Sequence, residues 1–163
     1  MLAQSYASSL SLPDGRPLPT PTSTPVQVAD FGISTHFGRA DYTAETGTYR
    51  QMAPEVILHK PYNYKCDVYS YGVLLWEALH RQVPFIGFAP LQAAFAVAME
   101  QARPKIDLRP ELADYQELIT QCWDAEPDKR PGMDSVVQRT AKLLSSIEHR
   151  RTLSQQQQQQ QQQ

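Results

Sequence analysis

The sequence predicts a mostly α-helical domain set between two unstructured ends. Apolar residues recur at helical spacing in four separate stretches between Cys66 and Ile147. Residues 1–25 are rich in Ser and Thr, and Pro13, Pro17, Pro19, Pro21 and Pro25 remove donors and block helix there. At the other end an uninterrupted glutamine tract, Gln155–Gln163, supplies nothing apolar to a core and reads as a flexible, association-prone tail. The expected organisation is therefore an arm over 1–25, a folded domain over 26–150 and a glutamine-rich tail over 151–163.

A chain of 163 residues, 41% of them hydrophobic, is long enough for one domain with a real core. The formal net charge of -2 offers no electrostatic footprint for a phosphate backbone, which argues against a nucleic-acid partner. Cys66 and Cys122 lie far apart, with no His or Cys neighbours at ligand spacing, so they read as reduced, buried small hydrophobes. No run of eighteen apolar residues occurs, and the first residues lack the basic start and apolar stretch of a secretory signal. The expectation is a cytoplasmic protein without a membrane span.

The elements follow in order. Val26-Gln27-Val28 alternates briefly before Asp30-Phe31-Gly32, the pattern of a strand ending at a glycine turn. From Cys66 to Leu79 the apolar residues point to every side of a helical wheel, so this helix is expected to be buried all round and to serve as the central post. Pro90, at a first-turn position, opens a second helix through Leu91, Ala94, Phe95, Ala98 and Met99 that ends before Pro104. Leu112, Tyr115, Leu118, Ile119 and Cys122 form one stripe of a third helix, and Met133 to Ile147 keep the same period in a fourth.

Asp30-Phe31-Gly32 alone is a weak signal, but it stands in a series. Gly47-Thr48-Tyr49-Arg50 precedes Ala53-Pro54-Glu55, Asp67-Val68-Tyr69-Ser70-Tyr71-Gly72-Val73 follows, and Cys122-Trp123 and Asp128-Lys129-Arg130-Pro131 come later. In this order the motifs resemble the second half of a eukaryotic protein kinase domain, its C-terminal lobe. Thr43 to Arg50, His59-Lys60-Pro61-Tyr62 and Pro90-Leu91-Gln92-Ala93-Ala94 resemble the Raf-like serine/threonine kinases of the tyrosine-kinase-like group, in their plant and green-algal form. The resemblance runs from about Val26 to Ile147. Gln51 departs from it, standing where that group usually has Trp.

The resemblance implies a kinase fold that is α+β when complete, with this chain holding its mostly helical portion. It implies that Asp30 is the magnesium ligand, with Phe31 packed to set its direction and Gly32 turning the chain; ATP and Mg2+ are the cofactors of the complete family member. Residues 33–52 then form the activation loop, with Thr43 and Thr46 as candidate phosphosites; added phosphate can order such a loop against a basic partner. Gly47 and Thr48 point to Ser/Thr acceptors, with dual specificity open. Glu55 and Arg130 are implied to pair in a buried salt bridge, and Asp67 to accept backbone hydrogen bonds from the catalytic loop. Protein substrates or regulatory kinases are the implied partners.

Other parts of the phosphoryl-transfer machinery do not occur in these 163 residues. There is no Gly-x-Gly-x-x-Gly; the first lysine is Lys60; Asn63 is the only asparagine and follows the activation loop. His80-Arg81-Gln82 echoes the catalytic His-Arg-Asp but lacks the acid, and Asp14 has Leu12-Pro13 before it and Pro19 where the asparagine belongs. No residue is therefore assigned as the catalytic acid or base. Weak or absent ATP binding and an inactive isolated chain are expected. Three readings stay open at this point: a serine/threonine kinase whose upstream half lies outside this sequence, a non-catalytic kinase-like binding module, and a longer protein in which residues 1–25 are an insertion.

Overall fold

The computed structural model describes Val28, Ala29, Phe31, Ser34 and residues 49–161. The arm over 1–25 and the activation-loop threonines lie outside the described residues. The chain divides into two compact units, Ile33–Val136 and a second made of Met1–Gly32 with Val137–Gln163. The described residues contain helices and no strand. The strand expected at Val26–Val28 is not seen at Val28, which is 80% exposed without regular structure; Val26 and Gln27 are outside the described residues. A strand needs a ladder partner, and no described residue offers one.

In the larger unit α1 is a single turn, Pro54–Ile57, with Pro54 at its start, where a missing N–H costs nothing. Helix α2 spans Lys65–His80, and its apolar residues Val68, Tyr69, Val73 and Trp76 are buried along one side. Each fully buried side chain of this kind contributes about 1.5–3 kcal/mol. The expectation of burial all round does not hold, because Asp67 and Ala78 are exposed and Leu74 is 57% exposed. Those three residues share a helix face to which no described element is packed closely enough to cover it.

Helix α3, Pro90–Met99, starts as the sequence predicts, with Pro90 first and the Ala89 N–H donating to Gln92 Oε1 at 2.8 Å. It turns Ala93, Ala94, Ala96 and Val97 inward and packs against α1. Helix α4 is shorter than its apolar stripe: Pro110–Leu112 form a separate 3-10 turn, and α4 proper runs Tyr115–Cys122. Tyr115, Leu118, Ile119 and Cys122 line its buried face against α2. Gly72 makes this approach possible, since a Cβ there would lie 2.8 Å from Cys122 Cβ and 3.3 Å from the Trp123 nitrogen.

Helix α5 spans Met133–Gln161, beginning in the larger unit and belonging mostly to the second. It does not stop near Ile147. Gln155–Gln161 continue it as exposed helix instead of the expected flexible tail. Glutamine loses little rotamer freedom in a helix, so once α5 is nucleated upstream the tract extends it at small cost per residue.

Candidate functional site

Buried charged chemistry among the described residues lies where the Ala-Pro-Glu turn meets the Asp-Lys-Arg-Pro segment. Glu55 and Arg130 are both buried, 7% and 1% exposed. Arg130 Nη1 donates to Glu55 Oε1 at 2.6 Å and Nη2 to Oε2 at 2.8 Å, a bidentate fork between residues far apart in sequence. The same guanidinium donates Nη1 to the Lys65 carbonyl at 2.9 Å and Nε to the Asp124 carbonyl at 2.8 Å. The Lys65 ammonium returns a hydrogen bond to the Arg130 carbonyl. One buried cation thus ties α1, the start of α2 and the loop after α4 together.

Tyr69 extends this arrangement. Arg103 and Arg130 both lie against its ring, their guanidinium carbons 5.1 and 5.0 Å from the centroid, within cation–π range. Burial pushes the Tyr69 phenol up to about 12, with Glu55 adding to the rise and the two guanidiniums opposing it. Arg103 donates Nε to the Trp123 carbonyl and Nη1 to the Ala102 carbonyl, both at 2.9 Å. Burial lowers its pKa, with the Tyr69 side chain opposing, yet a guanidinium starts so high that it stays cationic. Sequence reasoning missed Arg103: it lies between a helix end and Pro104, where no periodicity marks it as half-buried.

Immediately upstream, Tyr49-Arg50-Gln51-Met52 form the turn leading into α1. Arg50 Nη2 donates to the Phe88 carbonyl and Ser70 Oγ to the Gln51 carbonyl, the latter at 2.8 Å, which fixes this turn against α2 and the loop before α3. Gln51 Nε2 donates to Glu77 Oε2 at 3.2 Å, while Gln51 Oε1 is buried with no hydrogen-bond partner among the described residues. At the position where the resemblance implies Trp, Gln51 makes one carboxamide–carboxylate contact.

Of the other residues of the sequence reading, the structure describes Phe31 and Asp67. Asp30, Gly32, Thr43, Thr46, Gly47 and Thr48 lie outside the described residues. Phe31 is 66% exposed and does not pack as expected, because no described residue supplies the apolar cover it needs. Asp67 lies exposed in the first turn of α2, with the Cys66 thiol 3.8 Å from its Oδ1. That thiol is pushed up to about 12 by burial first, then by the Asp67 and Glu55 carboxylates, so it is protonated at neutral pH and a poor nucleophile. Cys66 is only half-buried, contrary to the expectation of a fully buried hydrophobe, whereas Cys122 is buried. Arg81 ends α2 in the left-handed region, φ 54, so His80-Arg81-Gln82 is a helix terminus.

Comparison with known proteins bears on this geometry. The family described as protein tyrosine and serine/threonine kinase matches residues 20–140. The chain is 42% identical over 125 residues to the serine/threonine-protein kinase STY17 of Arabidopsis thaliana, which covers 75% of this chain and 21% of that protein. It is 46% identical over 115 residues to the serine/threonine/tyrosine-protein kinase HT1 of the same plant, covering 69% of this chain and 29% of the relative. A probable serine/threonine-protein kinase of Dictyostelium discoideum, drkA, is 37% identical over 121 residues, 74% of this chain and 19% of its own length. The chain thus spans between a fifth and a third of the length of the two plant relatives. The chain belongs to the protein kinase family and holds part of its domain.

Proposed function

We propose that this chain supplies the activation segment and the substrate-side lobe of a serine/threonine protein kinase, and that it does not transfer phosphate by itself. The observation that carries the reading is the buried bidentate Glu55–Arg130 pair. It anchors the downstream end of the activation segment to the helical unit, so that a substrate-facing loop can be ordered on a fixed base. In this reading Asp30 holds magnesium, Phe31 and Gly32 set its position, Thr43 and Thr46 take regulatory phosphate, and Gly47 and Thr48 face the acceptor hydroxyl. The chain works in the cytoplasm on protein substrates or regulatory kinases. The Ser/Thr preference follows from the Gly47-Thr48 pair and from the relatives' names, among which HT1 also carries tyrosine.

Complete members of the family use ATP and Mg2+. Among the described residues no group of three His, Cys, Asp or Glu could hold a metal ion, and Asp30 lies outside them. A nucleotide held between two lobes needs both walls of the cleft, so half of it binds Mg-ATP weakly or not at all. What this chain's own residues do is hold the base: the Glu55 carboxylate and the Arg130 guanidinium fix α1, and Ser70 and Arg50 fix the turn before it.

The direct test is phosphate transfer to a generic protein substrate by the purified chain and by its Asp30→Ala variant. Neither is expected to transfer; transfer by the wild-type chain that Asp30→Ala abolishes overturns the claim of inactivity. Fusing the upstream half of the STY17 kinase domain to Val26 then separates the readings. Activity that depends on Asp30 supports the kinase lobe, while a well-folded, inactive fusion supports the non-catalytic module.

A further inference from the structure

Beyond the end of α2 the surface opens into a groove of about 720 Å³ that none of the roles above uses. Its floor is apolar, made by Trp76, Leu79, Leu108 and Leu112. Its lip carries Val83 and Ile86, 45% and 72% exposed. Around these stand Arg81, Lys105 and Arg109, with Asp107 as the one carboxylate in the lining. Asp107 lies 3.8 Å from Lys105, with both side chains more than four-fifths exposed, so that pair is solvent-screened and weak. Neither the Arg81 nor the Arg109 guanidinium has a carboxylate partner among the described residues. A cationic rim on a chain of net charge -2 is a local feature and not a general excess of positive charge.

The groove is also held in shape. Trp76 Nε1 donates to the Lys105 carbonyl at 2.9 Å, and the Asp107 N–H donates to His80 Nε2 at 3.0 Å. His80 Nδ1 faces the Trp76 carbonyl at 2.8 Å, so the ring proton sits on Nδ1. The imidazole stacks on the Trp76 indole with centroids 4.3 Å apart. Two side chains of α2 thereby pin the loop that carries two of the rim's charges, and a partner need not order that loop on arrival.

We propose that this groove docks an acidic amphipathic segment of another protein, with its leucine or phenylalanine side chains on the Trp76–Leu112 floor and its carboxylates toward Arg81, Lys105 and Arg109. Charge complementarity selects the occupant: an apolar floor takes many ligands, but guanidiniums at its edge with no carboxylate partner among the described residues favour carboxylates and repel basic segments. The inference does not depend on the chain being catalytic.

The test uses the full chain and a fluorescein-labelled peptide, Glu-Asp-Leu-Glu-Phe-Leu-Glu-Asp, with two counterparts: one with Lys at every acidic position and one with Ser at every apolar position. Fluorescence anisotropy should show saturable binding of the first peptide, weakened by salt, and at least about tenfold weaker binding of each counterpart. Arg81→Glu with Arg109→Glu, and separately Ile86→Asp, should each weaken binding by about tenfold or more while the thermal midpoint stays at the wild-type value. If the charge reversals lower that midpoint, the milder Arg81→Gln and Arg109→Gln variants replace them, with about a threefold loss expected. Equal binding of the lysine peptide, displacement by a single-stranded oligonucleotide, binding unchanged in the variants, or no saturable binding overturns the proposal. So does sedimentation showing a dimer that Ile86→Asp dissociates, because a second copy then fills the groove.

Discussion

Helix α2 presents two sides of opposite fate, although both carry apolar residues. One carries Val68, Tyr69, Val73 and Trp76, all at most 5% exposed, packed against α4 and the Arg130 loop. The other carries Asp67, Leu74 and Ala78, all exposed. The difference teaches that an apolar wheel records what a helix is written to touch, while burial depends on which neighbours are there. In the protein kinase family the catalytic loop is the implied neighbour of Asp67, and its residues do not occur in this chain. Among the described residues, the packed side of α2 is the one that meets α4 and the Arg130 loop.

That comparison can be broken most severely at the Glu55–Arg130 pair. Arg130→Ala should cost about 3–5 kcal/mol, because it leaves a carboxylate buried without its partner; urea unfolding measures this, and a loss under about 1 kcal/mol would place the weight elsewhere. Gly72→Ala comes next. Its added methyl collides with Cys122 Cβ at 2.8 Å on the packed side, and about 1–3 kcal/mol should be lost in the same assay.

Alkali attacks the packed side as well. The Tyr69 phenol and the Cys66 thiol both have folded values near 12, above their ordinary 10.0 and 9.0. Their neutral forms therefore contribute stability that is complete below about pH 9 and is lost as pH rises toward 12. A fall in thermal midpoint over that window, made shallower by Tyr69→Phe, is the expected result.

The open side should respond far less. Leu74→Ser in this chain should change stability by no more than about 0.5 kcal/mol, and the same substitution should cost distinctly more in a fusion that restores the upstream half. Removing Gln155–Gln163 should have the smallest effect, lowering helical circular dichroism while leaving the thermal midpoint in place, since those described glutamines are exposed throughout.

Much of this was legible in the sequence because it follows from period and punctuation. Four helical stretches, the Pro90 start and the stripe of Tyr115, Leu118, Ile119 and Cys122 all appear where the spacing places them. The Glu55–Arg130 meeting was implied only by the family resemblance, since nothing local ties two such distant residues. What stayed hidden is what tertiary contact decides. Arg103 beside Tyr69, the Gln51–Glu77 contact and the bared face of α2 carry no periodic mark. The glutamine tract misled for a different reason: its composition reads as a tail, while its helix propensity lets α5 run on through it.

Glu55 and Arg130 also set a timetable. They stand 75 residues apart, so during synthesis the carboxylate emerges well before the only described cation that pairs with it. At ordinary rates of translation that interval is roughly 4–15 s. Through that time the Ala-Pro-Glu turn has no lock, and the ribosome releases a segment that chaperones can hold and proteases can cut. The core of this unit closes only after its last loop has left the tunnel, which makes the order of emergence part of how the fold is made.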